Sequence, residues 1–134
     1  MTKDEFFELV RERGHMQTRE EAKRATRATL QTLGERLEGD EPRRLAERLP
    51  PEIGDYLREE RAGAGEEFSM EEFFERIAKK EGQSTDVPRA TYHARVVIEA
   101  VGATTGVIDE VREQLPPEYD SLFEAGSQGG MSTR

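Results

Sequence analysis

Glu5-Phe6-Phe7-Glu8 returns as Glu72-Phe73-Phe74-Glu75, and Leu49-Pro50-Pro51-Glu52 returns as Leu115-Pro116-Pro117-Glu118. Self-similarity at a spacing of 66 to 68 residues marks a duplicated structural unit, because one supersecondary unit repeated in the chain keeps its packing and turn residues. Working outward, Thr2-x-x-Glu5 and Thr18-x-x-Glu21 have the form of capping boxes, in which a hydroxyl and a carboxylate satisfy the orphan amides of a first helical turn. Phe6, Phe7 and Val10 then give the first helix its apolar side, and Gly14 can end it with a positive φ. The second helix runs to about Glu38. Ala22, Ala25, Thr29, Leu30, Leu33 and Leu37 fall on one side of it, and Arg19, Lys23, Arg24, Arg27, Gln31, Glu35 and Glu38 on the wet side. Pro42 suits the first turn of a short third helix, Pro50-Pro51 stops it, and Ile53, Tyr56 and Leu57 mark a last short helix.

The second half follows the same plan. Ser69-x-x-Glu72 repeats the first box, Gly82 matches Gly14, and Asp86 caps a helix from about Val87 to Ala103 that carries Ala90, Ala94, Val97, Ile98 and Val101. This helix is the more apolar of the two long ones and is expected to be the more central. Thr104-Thr105-Gly106 breaks it, Val107, Ile108, Val111 and Leu115 form the next stripe, and Tyr119, Leu122 and Phe123 close the unit. The expected architecture is all-α: a helical bundle of two tandem, sequence-related repeats of three to four helices each. Residues 1–62 form the first repeat, 63–67 a linker with nothing to bury, 68–125 the second repeat and 126–134 a disordered tail. Each stripe is too narrow for a core of its own, so the repeats are expected to pack as one globular domain.

Acidic-Phe-Phe, a long helix entered by Thr18-Arg-Glu-Glu-Ala22, then Thr29-Leu-Gln-Thr-Leu-Gly-Glu-Arg-Leu37 and Ala46-Glu-Arg-Leu-Pro-Pro-Glu52 together resemble the bacterial and archaeal family called domain of unknown function 2267. Phe68-Ser-Met-Glu-Glu-Phe-Phe-Glu-Arg-Ile77 and Glu113-Gln-Leu-Pro-Pro-Glu-Tyr119 resemble its second repeat, and the likeness covers about residues 2–124. The shared motifs are helix starts and stops. The resemblance implies an all-α bundle of two related halves and carries over no reaction and no catalytic residues.

Composition narrows the function classes. Of 134 residues, 37% are charged and the net charge is −9, spread over both halves, a balance that repels phosphate backbones and disfavours generic nucleic-acid binding. There is no cysteine, hence no thiolate metal site or redox thiol. No run approaches the roughly 18 apolar residues of a membrane span, and a cytoplasmic setting is the expectation. Gly-x-Ser-x-Gly elbows, phosphate-binding glycine loops and Walker lysines are absent from the sequence, so the chain is read as a non-enzyme without cofactor or metal.

The candidate sites are few. Arg19, Lys23, Arg24 and Arg27 share one helix face and are the candidate partner-binding surface, for a protein partner or a second copy of the chain. Nucleic acid is the alternative occupant of that face, and solvation with i, i+4 ion pairs the plain reading. Tyr92 and His93 are the candidate pocket between the repeats, for a small ligand or metal, against a packed histidine at the rim of the core. No acid nearby in sequence stands ready to orient His93. His15 reads as a solvated loop residue.

Overall fold

The computed structural model describes residues 1–59, 61–82 and 84–123. Its regular elements are helical throughout: α1 (Lys3–Arg13), α2 (Arg19–Arg36), α3 (Glu41–Ala46), α4 (Pro51–Gly54), a 3-10 turn at Asp55–Arg58, α5 (Met70–Glu81), α6 (Val87–Thr105), α7 (Ile108–Glu113) and a 3-10 turn at Pro117–Tyr119. The all-α class expected from the helical spacing is what forms. The expected tail, residues 126–134, lies outside the described residues.

The helix starts are where local chemistry puts them. The Thr2 hydroxyl accepts from the Glu5 amide at 3.1 Å while the Thr2 amide donates to the Glu5 carboxylate at 2.9 Å, a complete capping box. Thr18, Ser69 and Asp86 each accept from the amide three residues on. The boxes at Thr18 and Ser69 are only half made. Glu21 lies 3.6 Å from His93 of another helix, and Glu72 bonds Arg76 one turn along its own helix, so other partners take both carboxylates.

The ends depart from local expectation. Gly14 sits at φ −91° with its amide still bonded to Val10, and the positive φ falls one residue later, on exposed His15 (φ 53°). A Cβ at 14 would lie 2.8 Å from the terminal carbon of the Met16 side chain, which would have to move aside, and 3.1 Å from the Val10 carbonyl oxygen. Gly82 does take a positive φ, 61°, so the two glycines end their helices differently. α2 stops at Arg36, two residues early, because other donors claim its last carbonyls. Gly63 donates to Gly34, Glu66 to Glu35 and Gly65 to Leu37. The 63–67 segment, read as having nothing to bury, is thus tied along the end of α2, with a bridge between Glu38 and Ala64. The last helix of the first half is also tighter than expected, one α turn followed by a 3-10 turn.

One continuous core runs through the described residues. Phe6, Val10, Leu30, Leu33, Ile53, Leu57, Phe73, Ile77, Val97, Val101, Tyr119 and Leu122 are fully buried. Each side chain of that size contributes roughly 1.5–3 kcal/mol on removal from water. α6 was expected to be the more central helix, but α2 is equally enclosed: it packs on α1, α5, α6 and the 55–58 turn, while α6 packs on α5, α2, α1 and α7. Alanines and threonines on α2 allow this close approach despite its polar sequence.

A polar strut holds the two chain halves together. The carbonyl of buried Phe68 accepts from the Tyr119 hydroxyl at 2.7 Å and from Arg36 at 3.2 Å. The Arg76 guanidinium stacks 3.9 Å from the Phe68 ring centroid and bonds Glu35, Glu66 and Glu72 at 2.8–3.1 Å. Lys80 adds bonds to Glu35 and to the Thr32 hydroxyl.

Candidate functional site

Arg19, Lys23, Arg24 and Arg27 are all exposed on the outer side of α2, as their i, i+4 spacing requires. The pairing along that face differs from the expected one. Arg19 turns to α1, with guanidinium nitrogens 3.7 Å from Asp4 and 3.5 Å from Glu8. Among the described residues, Lys23, Arg24 and Arg27 form no ion pair within 4.0 Å. The expected intrahelical pairs fail because the nearest acids are engaged elsewhere or fully hydrated: Glu21 leans inward to His93 and Glu20 stays in solvent. Glu8 is held below the ordinary carboxylate range, first by its hydrogen bond to Arg11 and then by Arg19. Near the other end of the strip, burial raises the Tyr56 hydroxyl's pKa, and the positive charge of Arg27 works against that rise.

Tyr92 and His93 are adjacent in sequence but do not share one environment. Their rings lie 6.3 Å apart, but they point into different environments: Tyr92 is 45% exposed and His93 only 4%. His93 lies deeper than the core rim expected for it. Its Nδ1 lies 2.9 and 3.0 Å from the two oxygens of Glu81, itself buried, and its Nε2 lies 3.6 Å from Glu21. An orienting acid is therefore present after all, twelve positions back in sequence, at the end of the preceding helix. The signal for it was available: Phe74, Ile77 and Glu81 share the buried stripe of α5, so a carboxylate stands where an apolar residue is due. The pair is sealed from solvent, with 5% and 3% of its side chains exposed, and ties α5 to α6 and, through Glu21, to α2. Neither group is open to solvent, so the geometry suits a buried carboxylate–imidazole hydrogen bond that joins the two helices. Among the described residues no three His, Asp or Glu side chains converge on a metal position, and no helix is long and apolar enough to cross a membrane.

The open clefts lie elsewhere. One of about 330 Å³ separates α3 from α7. A more apolar one, of about 270 Å³, lies at Ile98, Gly102, Ile108 and Phe123 beside the Arg13–Glu99 ion pair. Neither Tyr92 nor His93 lines either of them.

No curated protein matches the chain. A family model does, over residues 3–122, which takes in every helix from α1 to α7 and both Leu-Pro-Pro-Glu turns. The chain belongs to the family described as Uncharacterized conserved protein (DUF2267).

Proposed function

We propose that the chain is a non-catalytic cytoplasmic interaction module, built from two tandem, sequence-related helical units that dock a partner protein on the outer face of α2. The observation that carries this reading is the strip Lys23, Arg24 and Arg27: three exposed cations within about one helical turn, without ion-pair partners among the described residues, on a chain of net charge −9. Many other arginines are paired with acids, and the exposed cations without an ion pair among the described residues, such as Lys3, Arg48, Lys79 and Arg89, lie apart from one another in sequence, so this strip is where unpaired positive charge is grouped. Duplication accords with the order of the elements. A short amphipathic helix, a long helix, a six-residue helix and a Pro-Pro turn ending in a 3-10 turn occur once before the 63–67 segment and once after it.

A protein partner is favoured over nucleic acid because Asp4, Glu8, Glu20 and Glu21 flank the strip and would repel a phosphate backbone. The test is a tagged pull-down from the native host at moderate salt, with bound protein and nucleic acid both identified, repeated with Arg24→Glu/Arg27→Glu. A partner recovered in fixed ratio by the parent and lost from the variant, at unchanged circular dichroism, supports the reading. Capture unaffected by the reversal would clear this face of any role, and nuclease-sensitive capture would replace the protein partner with nucleic acid.

A further inference from the structure

Leu49-Pro50-Pro51-Glu52 and Leu115-Pro116-Pro117-Glu118 give the two chain halves a common register. Four positions past each Glu stands Tyr56 in the first half and Leu122 in the second. Leu122 is fully buried, as an apolar residue at a core position should be. Tyr56 is only half-buried: it packs against the core, and its hydroxyl makes no hydrogen bond among the described residues. The 55–58 turn that carries it packs on α2, and the charges acting on its hydroxyl are Arg27, Glu59, Asp55 and Glu20. Glu20 and Arg27 are two turns apart along one face of α2, with Lys23 and Arg24 between them, so the phenol stands beside the basic strip. Counted from Gly14 and Gly82, the second half has Thr91 and Tyr92 where the first has Lys23 and Arg24. These two cations and the phenol occur together in one half and are all replaced in the other, which keeps the same order of elements, so the fold does not require them. Acids limit what can sit there. Asp55 is compensated by Arg58 at 3.0 Å, while Glu20 and Glu59 are exposed and form no ion pair among the described residues. Three cations facing two such acids complement one negative charge and not an acidic run. A carboxylate has lone pairs for a cation and for a phenolic O–H at once.

We propose that the partner docked on α2 presents a lone carboxylate, held by the Lys23, Arg24 and Arg27 strip and by a hydrogen bond donated from the Tyr56 hydroxyl. This rests on the α2 reading above and adds Tyr56 to it as a residue that sets specificity. The probe is a Gly-Leu-Glu-Leu-Gly peptide, acetylated and amidated so that its one charge is the carboxylate. It is titrated into the full chain at about 0.15 M salt, where exposed charges more than about 8 Å apart are largely screened. Amide shifts in two-dimensional NMR should concentrate in residues 20–27 and 55–59. Tyr56→Phe, which keeps the ring, should weaken binding about fivefold or more at unchanged helical content, as should a glutamine in place of the peptide's glutamate. Hexaglutamate should bind no more tightly than the probe. Binding lost with Arg24→Glu/Arg27→Glu but unchanged with Tyr56→Phe overturns the role of Tyr56 and leaves the α2 reading standing. Binding that survives both variants, equal binding of the glutamate and glutamine peptides, tighter binding of hexaglutamate, or no binding overturns the lone-carboxylate proposal, while the pull-down from the host decides the α2 reading separately.

Discussion

Glu81 is 6% exposed and bonded to a histidine that is 4% exposed, so neither group has water to fall back on. Removing one member of such a pair leaves the other buried without its hydrogen bond, at a cost of about 1–3 kcal/mol or more, whereas replacing both by apolar groups is often close to neutral. Glu81→Ala should therefore lower the urea-unfolding free energy by about 3 kcal/mol, and Glu81→Met/His93→Leu should recover most of that loss. Equal losses in the single and double variants would mean that the pair is not coupled. At this scale the sequence is legible where a residue acts on its immediate neighbours. Thr2 capping its own helix needs only three residues of context. His93 was not legible in the same way, because its environment is supplied by Glu81 across a turn and by Glu21 from another helix.

Helix starts could be read and helix ends could not, for a physical reason. A start is decided by a side chain that reaches amides three positions on, as at Thr18, Ser69 and Asp86. The end of α2 is decided by amides of residues 63 to 66, which no local rule connects to residue 36. The crossing needs glycine on a special backbone. Gly63 has φ +84°, and a Cβ there would stand 2.5 Å from the Gly39 carbonyl oxygen, while Gly82 has φ +61° and open space around it. Gly82, at φ 61° and ψ −150°, occupies a backbone region that only glycine adopts readily, so Gly82→Ala should cost that backbone strain alone, about 1–3 kcal/mol. Gly63→Ala adds a backbone collision and should cost clearly more, accompanied by faster amide exchange at Gly39 and Gly65. Thermal or urea unfolding of the two variants side by side checks the order.

Taken as a whole the molecule is acidic, yet its acids are not equivalent. Glu66 is held below the ordinary carboxylate value of 4.5, mainly by its hydrogen bond to Arg61, against an opposing burial effect and with further help from Arg76. A depressed folded value contributes stability that is complete above the unfolded value and is lost as pH falls through the folded one. Glu66→Gln should therefore be less stable than the parent at neutral pH, with the difference closing as pH drops below about 4. Unfolding midpoints across pH 2.5–7 read this directly, and a difference that stays constant with pH would remove Glu66 from the acid transition. The clefts were invisible in sequence for a related reason: α3 and α7 each show an ordinary apolar stripe, and only the packed chain reveals that the stripes leave space between them.

The hydrogen bond from Tyr119 to the Phe68 carbonyl spans 51 positions and seats nearly the last described part of the chain on its middle. Such a long closure costs loop entropy before its contact rewards it, so it belongs late on the folding route. Tyr119→Phe should then leave the refolding rate nearly unchanged and speed unfolding, moving one arm of the denaturant chevron and sparing the other. The strut would thereby act as a brake on opening, lengthening the lifetime of the folded chain without hastening its formation.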